Sequence, residues 1–231
     1  MRTENCLVEF FADHQCHFST QGGMRVIELE RSPGVYTCRS YLLLGEWNQL
    51  GDVNTLIDPG TDGFVLDQIE KFSTGCGKVP VEQIILTHNH FDHGASVDIF
   101  KQRYGSRVFA WCDGKDVDEI LYDGHIIKAA DDFLQVLHTP GHSSDSICLY
   151  NQAQRILFSG DTQLRIRSPG GVFTPEYVES LRRLAHLKID TVYSGHDEPM
   201  TSHIQETIHT TLANVRRSRI ITTEEEKAEL L

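Results

Sequence analysis

The chain reads as an α/β fold, and three observations predict it. Hydrophobic residues make up 39% of the 231-residue chain, enough for the core of one large domain. Short runs rich in branched and aromatic residues alternate with segments of helical apolar spacing. These runs fall into two half-chains built alike, and several end in His or Asp at a turn. The expected organisation is one domain over residues 1–231, with a core at about 25–200 and then a short C-terminal helix and tail.

In the first half, MRVIELE (24–30), TCRSYLLL (37–44) and NTLIDPG (54–60) read as strands. DGFVLDQIEKF (62–72) has helical spacing at Phe64, Ile69 and Phe72, with Asp62 as the expected N-cap. VEQIILTH (81–88) reads as a short buried strand, and GASVDIFKQRYG (94–105) as a helix closed by Gly105. RVFAW (107–111) returns as a strand. The second half opens with a hairpin region over 125–141, followed by strands SICLY (146–150) and RILFSGD (155–161). TPEYVESLRRLAHLK (174–188) is a helix with Thr174 as N-cap and Pro175 in its first position. DTVYSGH (190–196) is another strand, and a last helix over about 201–218 leads to the charged tail TTEEEKAELL.

The formal net charge of -12 argues against a bulk nucleic-acid surface, since phosphates need Lys and Arg. No 18-residue apolar run is present, so no membrane span is expected. MRTENCLVEFF lacks a long apolar core and cleavage site, so no secretory signal is expected. The cysteines (Cys6, Cys16, Cys38, Cys76, Cys112, Cys148) are scattered without a CxxC pair, which predicts free thiols in a cytoplasmic protein. The expected partner is a small-molecule substrate, and the sequence leaves a homodimer open.

The chemistry gathers at strand ends. IDPG, LTHNH, HTPGH, FSGD and YSGH each end an apolar run in His or Asp. Rigid strands aim such residues at one edge of an α/β fold. THNHFDH (87–93) is the densest of these segments. Along an extended strand, positions i and i+2 face the same side, so His88 and His90 can meet one ion. The turn into the next helix then brings Asp92 and His93 round to that edge. Nitrogen and carboxylate donors at about 2.0–2.2 Å suit Zn²⁺ or Fe²⁺. His14, Cys16 and His17 in DHQCH have no further ligand set and read as a surface turn. His125, His138, His186, His203 and His209 match no motif, and ordinary surface or core roles are expected.

THNHFDH matches a THxHxDH signature. Asp58 in LIDPG, His142 in TPGHSSDS, Asp161 in FSGD and His196 in YSGHDEP follow in order. On these motifs the chain resembles the metallo-β-lactamase superfamily over about residues 25–200, in its hydroxyacylglutathione hydrolase (glyoxalase II)-like branch. The resemblance implies an αββα sandwich of two mixed β-sheets flanked by helices. It also implies two divalent metal ions, Zn²⁺ in the first instance with Fe²⁺ or Mn²⁺ as alternatives. His88, His90 and His142 would hold the first, Asp92, His93 and His196 the second, and Asp161 would bridge both. Asp58 would orient a ligand imidazole, and Asp92, besides binding, would manage a proton. These two are the candidate catalytic carboxylates.

The implied activity is hydrolysis of a thioester or related ester by a metal-bridging hydroxide. The alternatives are a lactonase, or a mononuclear Fe²⁺ persulfide dioxygenase on His88, His142 and Asp161. Asp161 stands where common β-lactamases carry cysteine, so β-lactam hydrolysis is not expected. The loop TQLRIRSPGGVF lacks the Gly-Arg element of the glutathione users, which puts glutathione in doubt. Arg216, Arg217 and Arg219 could reach an anionic substrate, though a solvated helix face is the expectation. Specificity is expected in the loop 162–174, the region 112–128 and the last helix.

Overall fold

The computed structural model describes residues 23–114 and 116–221. Cys6, the DHQCH segment with His14, Cys16 and His17, and the tail TTEEEKAELL lie outside the described residues. One mixed sheet is built from β1 (Arg25–Glu28), β2 (Tyr41–Leu44), β3 (Thr55–Ile57), β4 (Gln83–Ile85), β5 (Arg107–Ala110) and β6 (Glu119–Ile120), in that order. β1, β2 and β3 pair antiparallel, and β3 through β6 pair parallel. A second mixed sheet has the order β12-β10-β9-β8-β7, from β7 (Ile126–Ala129), β8 (Asp132–His138), β9 (Ile147–Asn151), β10 (Ile156–Gly160) and β12 (Thr191–Ser194). β11 (Val172–Phe173) and β13 (Arg219–Ile220) form a small parallel pair of their own.

Helices cover the outer faces. α1 (Val65–Ile69), α2 (Phe91–Gly94) and α3 (Val97–Tyr104) belong to the first half, and α4 (Pro175–Ala185) and α5 (Ile204–Arg216) to the second. Side-chain alternation sorts the apolar residues into three layers. Tyr41, Leu43, Ile57, Ile85 and Phe109 of the first sheet meet Leu134, Val136, Ile147, Leu149 and Phe158 of the second in the central core. The intervening Leu42, Leu44, Leu56, Ile84 and Val108 face Val65, Ile69, Val97 and Phe100 of the first-half helices. Cys148, Tyr150 and Leu157 face Leu181, Leu184, Ile208 and Leu212 of α4 and α5. Strands buried on both faces lose the apolar–polar alternation, which is why YLLL runs unbroken. The edge strand β7 instead alternates, with Ile126 and Lys128 exposed and Ile127 and Ala129 buried. The architecture is the expected αββα sandwich.

Several local expectations hold at the residue level. Thr174 caps α4 by accepting from the Tyr177 amide, with Pro175 in the first turn. Gly105 ends α3 at φ 68°, the left-handed conformation that glycine adopts without strain. The hairpin of β7 and β8 pairs antiparallel as read. Other expectations need correction. Asp62 is not the N-cap of α1; that position is Phe64, without a side-chain cap, and Asp62 accepts from the Phe64 amide two residues on. The strand read over 37–44 is regular only from Tyr41, and 37–40 is a buried irregular segment. The strand read over 81–88 ends at Ile85, and the helix read over 94–105 is regular from Val97, with the separate short α2 over Phe91–Gly94 before it.

Candidate metal centre

Strand ends bring the site together. Asp58 follows β3 directly, His88 lies three residues beyond β4, and Asp161 follows β10 directly. His142 lies beyond β8, and His196 beyond β12. β8 and β10 both pair antiparallel with β9, and β12 runs parallel to β10, so the three strands finish at one edge.

His88 and His90 do meet, but not as neighbours on one strand face. The chain bends after Ile85, His88 is buried, and His90 is the exposed N-cap residue of α2. Their rings lie edge to face at 4.5 Å. Asp92 and His93 sit in α2 itself, both buried. All seven predicted donors converge. His88, His90 and His142 form one group whose ligand atoms lie within 4.8 Å of one another, and Asp92, His93 and His196 form another. Asp161 lies between them. Its Oδ2 is 3.4 Å from His142 Nε2, 3.4 Å from His196 Nε2 and 3.9 Å from His88 Nε2. Its Oδ1 is 3.3 Å from His93 Nε2. Asp92 meets His196 Nε2 at 3.0 Å and His93 Nε2 at 3.8 Å, both through Oδ2.

The polar atoms themselves test whether a cation fits. His88 Nε2, His93 Nε2 and Asp161 Oδ1 are buried without a hydrogen-bond partner. Such an atom costs about 1–3 kcal/mol when left unmet. His142 Nε2 and His90 Nδ1 face each other at 3.0 Å. Imidazole nitrogens and carboxylate oxygens that converge within 4.8 Å of one another suit a divalent cation. Gly195 shows how tightly the site is drawn. A Cβ there would collide with Asp161 Oδ1 and lie 2.8 Å from His93 Cε1, so this turn must be glycine.

Asp58 works behind the cluster. Its Oδ1 accepts from the Thr87 amide at 2.8 Å, and its Oδ2 accepts from the Thr87 hydroxyl at 2.7 Å. The same Oδ2 faces His93 Nδ1 at 2.9 Å. An ionised carboxylate only accepts, so His93 Nδ1 carries a proton in either charge state, and Nε2 is the nitrogen that would lose its proton to meet a cation. The Thr87 proton is committed to Asp58, so its oxygen accepts from His88 Nδ1 at 3.1 Å. One Asp–Thr couple thereby fixes two imidazoles with both Nε2 atoms aimed at the cluster. Asp58 also holds φ 51°, uncommon for a residue with a side chain and typical of strain kept at working sites. Its carboxylate contacts are with Thr87 and His93, behind the ligand atoms.

Charge in the cluster is strongly coupled. Burial brings His88 down to about 4 and also lowers His142. Burial works against a charged His93, yet the carboxylates of Asp58 and Asp161 raise it far above the imidazole range. Burial would raise Asp161, but His196 and His93 hold it well below the carboxylate range. Contact with Asp161 raises His196.

Several participants escaped the sequence reading. Arg39, 9% exposed, pairs with Glu28 and Glu198, and its amide donates to Gly195 O at 2.7 Å. Its Nε donates to His196 O at 3.4 Å, so it anchors the turn that carries His196. A lone arginine inside the apolar run TCRSYLLL was the available signal. Tyr36, two-thirds exposed, stacks on His196 at 5.2 Å with its hydroxyl 3.5 Å from Nε2. His138 stacks on Trp111 at 3.7 Å and lines a cavity beside His142. Arg165, not Arg216, Arg217 or Arg219, lines the cleft over the cluster with Asp161, His196 and Gln163. Among the described residues of the three regions expected to set specificity, those of the loop 162–174 line this cleft and the cavity beside it. The four described cysteines, Cys38, Cys76, Cys112 and Cys148, are free thiols, and burial pushes Cys38 up to about 11. No helix among the described residues is long and apolar enough to cross a membrane.

Residues 34–110 and 112–196 match the family model of the metallo-beta-lactamase superfamily. The chain is 37% identical over 122 residues to a hydroxyacylglutathione hydrolase of Bradyrhizobium sp. (strain ORS 278), covering 49% of this chain and 48% of the relative. It is 28% identical over 165 residues to an atrochrysone carboxyl ACP thioesterase of Aspergillus fumigatus, covering 68% of this chain and 52% of the relative. The chain thus spans about half the length of the curated relatives it matches. Among solved structures, ETHE1 from Myxococcus xanthus superposes with a TM-score of 0.60 at 22% identity, covering 82% of this chain and 90% of that one. That likeness is one of fold.

Proposed function

The chain belongs to the metallo-beta-lactamase superfamily, and from that premise we propose that it is a metal-dependent hydrolase of a thioester or related ester, lactones included. The observation that carries this is the pair of three-donor groups with Asp161 between them. His88, His90 and His142 would hold one divalent ion and Asp92, His93 and His196 a second, with Asp161 shared. Zn²⁺ is the first choice, and the same donors accept Fe²⁺ or Mn²⁺. When bound, such ions bring the pKa of water down to about 7 and polarise a carbonyl.

The chain's own residues supply the rest. Asp58 and Thr87 hold the His88 and His93 rings with Nε2 toward the cluster. Asp92 and Asp161 would offset the charge of bound ions. We assign proton transfer to Asp92, which meets His93 and His196 through one oxygen, whereas Asp161 uses both. The cleft over the cluster, about 440 Å³ with Arg165 on its wall, is open to a small molecule. Relatives named as a hydroxyacylglutathione hydrolase and an ACP thioesterase both favour a thioester.

One geometric detail favours a second reading. His88 and His142 both approach Asp161 Oδ2, a two-histidine, one-carboxylate set that fits a single Fe²⁺ and oxidation of a persulfide. Metal analysis with a substrate panel separates the two. About two metal equivalents with thioester turnover support the hydrolase, and His88→Ala or His142→Ala should lose both metal and turnover. One iron with oxygen uptake on a persulfide, and no thioester turnover, would replace it with the second reading.

A further inference from the structure

Beside the cluster lies a cavity of about 600 Å³ lined by Pro140, His142, Gln163, Val172, Phe173 and Tyr177, among others. It shares His142 and Gln163 with the cleft that holds Asp161 and His196. A carbonyl seated at His142 and Asp161 therefore has this cavity as a direct extension. Most of its wall is apolar, for identifiable reasons. Phe173 stacks on Tyr177 at 5.5 Å, and Val172 stays 38% exposed although the backbone of β11 is paired with β13. The Tyr177 hydroxyl donates to Gln163 O, which leaves only its ring for the cavity. The Thr174 hydroxyl oxygen accepts from the Tyr177 amide in the α4 cap, and His138 Nε2 faces Ser144 O at 2.9 Å. His138, which stacks on Trp111, also lies on the wall. A Cβ at Gly141 would collide with the Tyr177 ring, so the loop carrying His142 rests directly on the cavity wall.

We propose that this cavity is the acyl site, and that the substrate class is a thioester or ester with a long aliphatic or aromatic acyl group rather than a short hydroxyacyl one. The assignment rests on the hydrolase reading above. Cavities of roughly 300–1,000 Å³ hold drug-sized groups, and a two- or three-carbon acyl group would leave most of this one unfilled. In the reaction, water oxygen bonds to the acyl carbon and the C–S bond breaks with its electron pair on sulfur. The products are a carboxylate that retains the cavity, a thiol and one proton.

The test uses zinc-loaded protein and the product carboxylates acetate, butyrate, hexanoate and octanoate, with affinity read by calorimetry. A fully buried methylene tightens binding about fourfold, so a rise of about two- to fourfold per methylene is expected. Val172→Trp and Glu176→Trp, which fill the cavity, should weaken octanoate about tenfold or more and flatten the series. A flat series in the wild type, or an undiminished slope in a folded, metal-loaded tryptophan variant, overturns the assignment. The wild-type series decides alone if neither variant folds. Turnover of acetyl, octanoyl and benzoyl thioesters of N-acetylcysteamine is a separate arm. No turnover with the binding slope intact defeats the hydrolase reading and leaves the cavity assigned to acyl chains. Turnover of the acetyl thioester with octanoyl and benzoyl excluded defeats the acyl site and leaves the hydrolase.

Discussion

Replacing Thr87 with valine keeps the shape of a fully buried side chain and removes one hydroxyl. That hydroxyl donates to Asp58 Oδ2 and accepts from His88 Nδ1. Thr87→Val therefore strips one bond from a buried carboxylate and leaves an imidazole N–H without a partner. Hydrogen bonds to charged groups are worth about 1.5–3 kcal/mol, and an unmet buried donor costs about 1–3 kcal/mol. The His88 ring also loses its rotational anchor. Loss of partners behind metal ligands lowers affinity about 10- to 100-fold, equal to about 1.4–2.7 kcal/mol, and the two estimates agree. The assay is a Zn²⁺ competition titration against a chromophoric chelator, with far-UV circular dichroism to confirm folding. Thr55→Val is the control, because Thr55 is equally buried but bonds only Val53 O and Gln83 Nε2, away from the cluster. If Thr87→Val binds Zn²⁺ within about twofold of wild type, or if Thr55→Val weakens it equally, the Asp58–Thr87 couple does not orient the histidines.

Other perturbations bear on the same architecture. Gly195→Ala forces a Cβ onto Asp161 and His93, and bound metal measured by mass spectrometry should fall by about tenfold or more while the sheets persist by circular dichroism. Arg39→Met leaves Glu28 and Glu198 unpaired and releases the His196 turn; a lower melting temperature with weaker metal binding is expected, and a change in neither excludes the clamp. Asp123 titrates low: burial would raise it, but the His138 amide and Arg183 hold it below the carboxylate range. A depressed folded pKa stabilises above the unfolded value of about 3.9 and is lost as pH falls through the folded value. Urea melts of Asp123→Asn should thus show a deficit at pH 7 that narrows below about pH 4, and a deficit constant with pH counts against the pairing.

How far the sequence reaches can be read from single residues. Thr174 with Pro175, and Gly105, were legible because caps depend on the sterics and hydrogen bonds of one helical turn. The αββα layering followed from a resemblance carried by motifs whose spacing survives inspection of the chain alone. Asp62 failed because the turn that precedes α1 is set by contacts to the segment near Ser32, not by the neighbouring helix. β11 and β13 are two-residue strands that pair across more than forty residues, and their local sequence holds no period to detect.

By itself, the sequence determined which side chains form the cluster. His88, His90, Asp92 and His93 are local to one segment, and Asp58, His142, Asp161 and His196 each follow an apolar run that ends at a turn. Only the tertiary structure decided how they are held and what lies beside them. Arg39 reaches the His196 turn across 157 positions, and Asp58 reaches His93 across 35. The cavity at Val172, Phe173 and Tyr177 opens onto His142 because a loop and a helix from a later part of the chain fold back against TPGH. The physical reason is one of range. Ligand type and turn chemistry are written in neighbouring residues, whereas burial, ring tautomer and cavity shape depend on what distant segments pack into the same space.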